Sequence, residues 1–365
     1  MADYSLFLLI FIVMLSSLSL TALVRHHAAT IGLIHLPNHR SSHQKITPHG
    51  GGLAIALITI TGGLGLAWYD TSYRLLYLWT SSLFFTIAIL GLWDDIKQLS
   101  ARFRLFIQAL LCTVLLLSLP LFLQTHAPSQ PLEHFASPNF VDHLLMGAGL
   151  LLLLFASLWW INLFNFMDGI DGLAGSQTIF MLFAALSLIV LRTDIVLQQP
   201  LFGSLLYWML IVFAATVGFV ILNWSPARIF MGDVGSISLA FILLFFAFVT
   251  TYLHIMDYIA WLILAAIFIS DATITLARRI WQKQAWWQGH RSHAYQRLAR
   301  RWQSHKKVTL LSIAINLCWL LPLAFASQYD PLRAWLYLLA AYIPLSMAIW
   351  RIGAGLPDLP DNHRA

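Results

Sequence analysis

Glutamate is almost missing from this 365-residue chain: Glu133 stands alone against fourteen aspartates. Charged residues of either sign make up only 10% of it, and hydrophobic residues 59%. So little charge excludes a soluble globular protein and leaves an integral membrane protein as the fitting class. Cysteine is scarce too. Cys112 and Cys318 lie in separate apolar runs, which excludes a disulfide framework and a cysteine metal motif and leaves each as filler facing lipid or core. No internal repeat, low-complexity tract or second soluble domain is present. The 21 Lys and Arg flank the apolar runs, so they inform topology and give no case for nucleic-acid binding.

What the chain does have is apolar length. Eleven segments can each cross roughly 30 Å of hydrocarbon at ~1.5 Å per residue: 4–24, 50–69, 73–93, 104–124, 143–163, 173–191, 201–222, 234–253, 257–277, 308–328 and 334–350. The expected fold is all-α and polytopic, a single membrane domain over 1–350 with a short tail at 351–365. The first run has no basic stretch before it and Arg25 after it, as an uncleaved span does. With its start outside, alternation puts 18 of the Lys and Arg in inner loops and only Arg74, Arg192 and Arg333 in outer ones. That split follows the positive-inside rule and places the C-terminus inside.

The polar residues are bunched. Asn162–Gly175, NLFNFMDGIDGLAG, directly follows an apolar run. Asn162, Asn165 and Asp168 descend one face if the helix continues, and Gly169 and Gly172 then break it around Asp171. Asp94 and Asp95 close the third span. Carboxylates near a helix C-terminus oppose its macrodipole by ~0.3–1 kcal/mol each, so a cation or a proton-accepting task explains them better than capping. Asp233, in NWSPARIFMGDVGS, opens the eighth span and reads equally as an N-cap and as a ligand. Phe230 reads as a ring for a base to stack on or as an interface anchor.

Two further clusters carry positive charge. GHRSHAYQRLARRW, with His290, Arg291, His293 and Tyr295, has the look of a basic interfacial helix among Trp281, Trp286 and Trp287. Its donors equally suit a diphosphate. Arg40, His43 and Lys45 precede a Gly triplet at the start of the second span, where a helix N-terminus attracts anions. Asp271 either pairs with Arg278 or Arg279 or faces the site. By the alternation, all these clusters share the inner face. A transporter tends to keep its ionisable groups near the bilayer midplane, so an enzyme at the cytosolic interface fits better.

Charge also selects the chemistry. Asp94, Asp95, Asp168, Asp171 and Asp233 bring up to five negative charges to one surface. An anionic substrate would be repelled unless a divalent metal and nearby Lys or Arg offset them. Oxygen and amide donors, with no Cys or close His pair beside them, point to Mg²⁺ or Mn²⁺ rather than zinc. Acids, a metal and basic loops at a membrane rim suit phosphoryl transfer onto a lipid.

These clusters, in this order, resemble the polyprenyl-phosphate N-acetylhexosamine-1-phosphate transferase family (glycosyltransferase 4) over roughly residues 32–297. PNHRSSH, FNFMDGIDGLAG, IFMGDVGS and HRSHAYQRL resemble its O-antigen-initiating branch. The resemblance implies transfer of a sugar 1-phosphate from a UDP-N-acetylsugar to undecaprenyl phosphate, with UMP released and Mg²⁺ required. It implies a site on the cytoplasmic side of a bacterial inner membrane, and a homodimer is compatible with it. Asp94 and Asp95 match the family's catalytic pair, and Asp233 its metal ligand with Asn165 and Asp168 beside it. Asp171, Asn223 and Phe230 fall around the nucleotide; His290, Arg291 and His293 fall at the diphosphate.

Three positions depart from the pattern. His35 stands where Asp is usual, His49 where Arg is usual, and Gln98 in a place often basic in the pentapeptide branch. The last two argue against a muramoyl-pentapeptide substrate, which is the alternative inside the family. Outside it, the alternatives are a polytopic transporter of anionic glycans and a non-catalytic scaffold. UDP-GlcNAc, UDP-QuiNAc and UDP-FucNAc differ at one or two hydroxyls, and no residue pattern in the chain separates them.

Overall fold

Inside lipid an apolar run must satisfy every backbone N–H and C=O within itself, and the α-helix does this. The computed structural model describes residues 2–35, 47–124, 140–191, 201–285 and 290–357. Its first eight helices are α1 (Ala2–His27), α2 (Gly52–Tyr69), α3 (Arg74–Lys97), α4 (Ala101–Gln124), α5 (Phe140–Phe166), α6 (Leu173–Val190), α7 (Leu201–Asn223) and α8 (Asp233–Tyr252). They fall on the expected spans to within a few residues. Large side chains such as Phe7, Trp68, Phe106, Leu151 and Leu336 stand exposed around the bundle. A soluble protein does not leave so many uncovered. Cys112 is buried and Cys318 exposed, with no bond between them.

The ninth expected span is broken. It consists of α9 (Tyr258–Leu264) and α10 (Ala266–Trp281), bent by 71° at Ala265. Gln177 Nε2 of α6 donates to the Leu264 carbonyl at 2.8 Å, and Asn316 Nδ2 donates to Gln177 Oε1 at 2.9 Å. A side chain that takes a carbonyl out of the helical ladder is a recognised cause of such a bend. Ten helices among the described residues are thus long and apolar enough to cross a bilayer, or eleven with the bent pair as one span. The remaining elements are a short α11 (Ala294–Trp302), α12 (His305–Ile315), a π turn at Asn316–Leu320, α13 (Leu321–Tyr329) and α14 (Ala334–Ile352).

The core sits around α8, which is buried along most of its length and packs on α2, α3 and α5. Its approach to α2 depends on glycine: a Cβ on Gly52 would lie 2.2 Å from Gly235 Cα. The N–H groups of Gly51 and Gly52 donate to the carbonyls of Phe230 and Met231, each at 2.9 Å. This corrects the expected anion site at the Gly triplet. Those donors are consumed in holding the two loops together, and the glycines serve close packing.

A two-residue antiparallel ladder pairs β1 (Ile34–His35) with β2 (Thr47–Pro48), and Phe230 N–H donates to the Pro48 carbonyl at 2.9 Å. Arg40, His43 and Lys45 lie outside the described residues, as do Trp286 and Trp287. The tail expected from 351 onward begins as a turn docked on the bundle: Gly355 N–H donates to the Ser292 carbonyl at 2.9 Å.

Candidate functional site

One end of the bundle gathers the C-termini of α3, α5, α7 and α10 with the N-termini of α4 and α8. There the sequence places its acids. α3 ends where Gln98 adopts a left-handed φ of 51°, and Asp94 Oδ1 accepts the Leu99 N–H at 2.7 Å beyond the turn. Asp95 reaches across to α8. Its Oδ1 accepts the Asp233 N–H at 2.8 Å and its Oδ2 the Val234 N–H at 3.0 Å.

Two sequence expectations are corrected here. Asp233 is not the cap of α8, because Gly232 occupies that place with φ of 77° and caps nothing with a side chain. Asp95 supplies the cap from another helix, where a carboxylate meets both the orphan donors and the favourable end of the dipole. On its own helix Asp95 has nothing to cap; the helix it caps is α8.

The Asp233 side chain is therefore released for other work. Asn165 Nδ2 of α5 donates to Asp233 Oδ1 at 2.7 Å and to Ser236 Oγ at 2.9 Å, which leaves its amide oxygen as the atom available to a ligand. Arg104, in the first turn of α4, donates Nη1 to Asp94 Oδ2 and to Asp233 Oδ2, the latter at 3.3 Å. Asn162 does not join them. It donates to Gln108 Oε1 at 2.9 Å and ties α5 to α4.

Asp168 lies two residues past α5, and no hydrogen bond reaches its carboxylate from the described residues. Burial, and then the negative charges of Asp233 and Asp95, hold its carboxyl well above the usual range. Like charges that crowd a half-buried acid in this way mark a candidate functional site. His49 stands behind Asp95, with Nε2 3.4 Å from the Asp95 carbonyl, and burial lowers its pKa.

The expected nucleotide residues are tied into two neighbouring loops. Asn223 Oδ1 accepts the Gly172 N–H at 3.0 Å, and its Nδ2 donates to the Ile229 carbonyl at 2.9 Å. Both ends of that side chain are engaged within the protein, so Asn223 acts by shaping the loops. Asp171 accepts the Ala227 N–H at 3.1 Å and lies 3.1 Å from His305 Nδ1. Burial pushes its carboxyl up, but the His305 bond and charge and the Ala227 N–H outweigh that and hold it below the usual range. Phe230 is half-buried on the 224–232 loop.

The histidine segment is fixed by Asp271. This residue is 2% exposed and accepts the Ala294 N–H at 2.9 Å, the Tyr295 N–H at 3.0 Å and the Thr275 hydroxyl at 3.0 Å; His293 Nδ1 lies 3.3 Å from it. The expected pairing of Asp271 with Arg278 or Arg279 is overturned. Arg278 lies over the Trp350 ring and donates to the Trp350 and Ala354 carbonyls, whereas Arg279 donates to Gln284 Oε1 and the Ala285 carbonyl. Both arginines complete open carbonyls near helix ends, which the sequence cannot show.

Tyr295 donates its hydroxyl to the Phe166 carbonyl at 2.8 Å and so ties this segment to the Asp168 turn. His290 is half-buried, and burial followed by His293 and Arg279 pushes its pKa down to about 3. It is neutral at physiological pH, and Arg291 carries a positive charge in the segment.

The structure thus brings together Asp94, Asp95, Asn165, Asp168 and Asp233, with the Asp171–Asn223–Phe230 loops and the His290–His293 segment alongside. Arg104, Ser236 and His305 were missed by sequence reasoning. Arg104 had a signal: a cation in the first turn of α4 opposes the dipole as Asp94 does at the end of α3.

Residues 76–251 match the family described as glycosyl transferase family 4. A Bacillus subtilis protein named "Probable undecaprenyl-phosphate N-acetylglucosaminyl 1-phosphate transferase" is 31% identical over 311 residues, covering 83% of this chain and 80% of that protein. "Undecaprenyl-phosphate alpha-N-acetylglucosaminyl 1-phosphate transferase" of Yersinia pestis is 27% identical over 316 residues, 84% of this chain and 80% of its own length. The protein of the same name from Escherichia coli K12 is 29% identical over 301 residues, 80% and 76% of the two chains.

Proposed function

This chain belongs to glycosyl transferase family 4, and from that premise we propose that it transfers an N-acetylhexosamine 1-phosphate from a UDP-sugar to undecaprenyl phosphate and releases UMP. The names of the relatives favour N-acetylglucosamine as the sugar. The product would be the lipid-linked first sugar of an O-antigen or other envelope glycan. One observation carries the reading in this chain: four aspartates from two helices and a turn converge with Arg104 at one end of an apolar bundle. The inner-loop excess of Lys and Arg favours the cytoplasmic face of the inner membrane for that end, with the N-terminus outside.

The donor set fits Mg²⁺, with Mn²⁺ as its substitute. Among the described residues no three His, Cys, Asp or Glu side chains close into a metal cage. The ion proposed here takes one or two carboxylates and shares its remaining positions with phosphate oxygens and water. Asp233, Asp168 and the Asn165 amide oxygen would hold it. Once bound, such an ion neutralises charge on the diphosphate and on the departing nucleotide.

The residues of the chain do the positioning. Arg104 offsets the acids and keeps Asp94 and Asp233 in register before an anion arrives. Arg291 and His293 meet the diphosphate, and Phe230 offers its ring to the uracil. The acceptor is a phosphate monoester with a second pKa of ~6, so it is largely dianionic at pH 7 and has little need of a strong base. Asp94 therefore acts chiefly by orienting, in keeping with phosphoryl transfer as catalysis by position and charge.

The test is a panel of UDP-N-acetylsugars, UDP-MurNAc-pentapeptide included, given to purified protein with Mg²⁺ and undecaprenyl phosphate. The expected result is metal-dependent UMP release and a lipid product heavier by one N-acetylhexosamine phosphate. A transporter or a scaffold releases no UMP under any of these conditions.

A further inference from the structure

Asp271 is the second acid in this protein that caps a helix it does not belong to, and the cap accounts for only part of what it does. Two backbone N–H groups of α11 satisfy two of its lone pairs. A neutral Ser or Asn caps a helix as well, without the cost of placing a carboxylate at 2% exposure inside the bundle. The charge is explained by the third partner, the imidazole of His293. A carboxylate only accepts, so in this pair the facing nitrogen, Nδ1, is the one that carries a proton.

The ring is fixed on its other sides as well. It stacks on Tyr295 with centroids 5.6 Å apart, lies 5.0 Å from the His290 ring and faces Phe166 at 6.4 Å. Tyr295 in turn holds the Phe166 carbonyl, two residues before Asp168. A shift of Asp271 would therefore be felt as a shift of the His293 ring relative to the acidic cluster.

We infer that Asp271 is the positioning residue of the His290–His293 segment, holding the His293 ring by its Nδ1 side so that the Nε2 side is the one left for the substrate's diphosphate. The role of the diphosphate rests on the transferase reading above; the Asp271–His293 pairing does not. Asp271 touches no substrate. It acts through His293 and through the first turn of α11.

Steady-state kinetics of UMP release, measured on the full-length protein, separate this role from a structural one. Asp271→Asn should lower kcat/KM for the UDP-sugar about 10- to 100-fold, the range for groups that orient a functional imidazole. His293→Asn should lose at least as much, and the double variant no more than His293→Asn alone. Losses that multiply in the double variant would overturn the inference. Thr275→Val, which removes a donor from Asp271 but leaves the imidazole in place, should stay within about threefold of wild type, by the general rule that coupling is confined to shared partners. A loss as large as that of Asp271→Asn would assign Asp271 to packing instead.

A spectroscopic arm covers the case in which Asp271→Asn fails to fold. In ¹⁵N-histidine-labelled wild-type protein, the resonance removed by His293→Gln should report a proton on Nδ1. An Nδ1 without a proton overturns the inference. Because this arm needs no turnover, a chain that releases no UMP sinks the transferase reading and leaves the Asp271–His293 pair to be judged on its own.

Discussion

Asp95 holds the first turn of α8 through the backbone of Asp233: its two oxygens accept the Asp233 and Val234 N–H groups at 2.8 and 3.0 Å. The carboxylate that stabilises the helix and the carboxylate that faces the site are thus different residues, brought together from α3 and α8. Removing either acid should silence the enzyme, but only one of them should weaken the fold.

Asp95→Asn keeps one acceptor oxygen and leaves one N–H at the start of α8 without its partner. A lost cap costs about 1 kcal/mol, which in a chain of this size lowers the thermal midpoint by about 2 °C. Asp233→Asn removes one charge from a crowded acidic cluster and leaves that cap in place, so its midpoint should match wild type or exceed it. Both variants should lose UMP release. Equal midpoints, measured in the same detergent, would mean that Asp95 does not cap α8.

Gly52→Ala would drive a methyl group into the backbone of Gly235. α2 and α8 must then separate, and the 230–235 loop that carries Asp233 moves with them. Thermal stability and UMP release should fall together, by about 2 kcal/mol or more in stability, the scale of overpacking. Gly147→Ala is the control: nothing lies within 4 Å of the added carbon, and the helix should gain ~0.5–1 kcal/mol. Comparable midpoints for the two variants would show that the close approach is unimportant.

His290 should contribute a pH dependence to stability. In the folded protein its pKa is pushed down to about 3, against 6.5 for an unperturbed histidine. Below about pH 6.5 the unfolded chain takes up a proton that the folded chain refuses, so folding weakens as pH drops. His290→Gln should flatten the fall in thermal midpoint between pH 7 and pH 5. An unchanged slope would place the proton uptake elsewhere.

Metal binding should release protons through Asp168. Its carboxyl is held well above the usual range by burial and by Asp233 and Asp95, and a divalent ion favours the ionised form. Calorimetric titration with Mg²⁺ near pH 6, repeated in buffers of different ionisation heat, should show net proton release. Asp168→Asn should reduce it. Release undiminished in the variant would assign the proton to another group.

Much of this was legible in the chain, because a membrane leaves so few options. Apolar runs gave ten of the eleven spans to within a few residues, and the cost of acids at helix ends singled out Asp94, Asp95 and Asp168. Other features were out of reach. The bend at Ala265 comes from Gln177 on α6, 87 residues away in sequence. Asp271 reads in sequence either as a partner of Arg278 or Arg279 or as a group facing the site, and backbone N–H groups 23 and 24 residues ahead claim it instead of the arginines.

The amino-acid order alone determined that the chain lives in a bilayer, how often it crosses, and which residue types are too costly to be there without a task. Those follow from transfer free energies and helix dipoles, which are properties of each segment by itself. Only the packed bundle decided which acid caps and which one faces the site: Asp95 rather than Asp233 at α8, and Arg104 between Asp94 and Asp233. A hydrogen bond needs its two atoms within about 3 Å, and no local rule of sequence brings residues 95 and 233 that close.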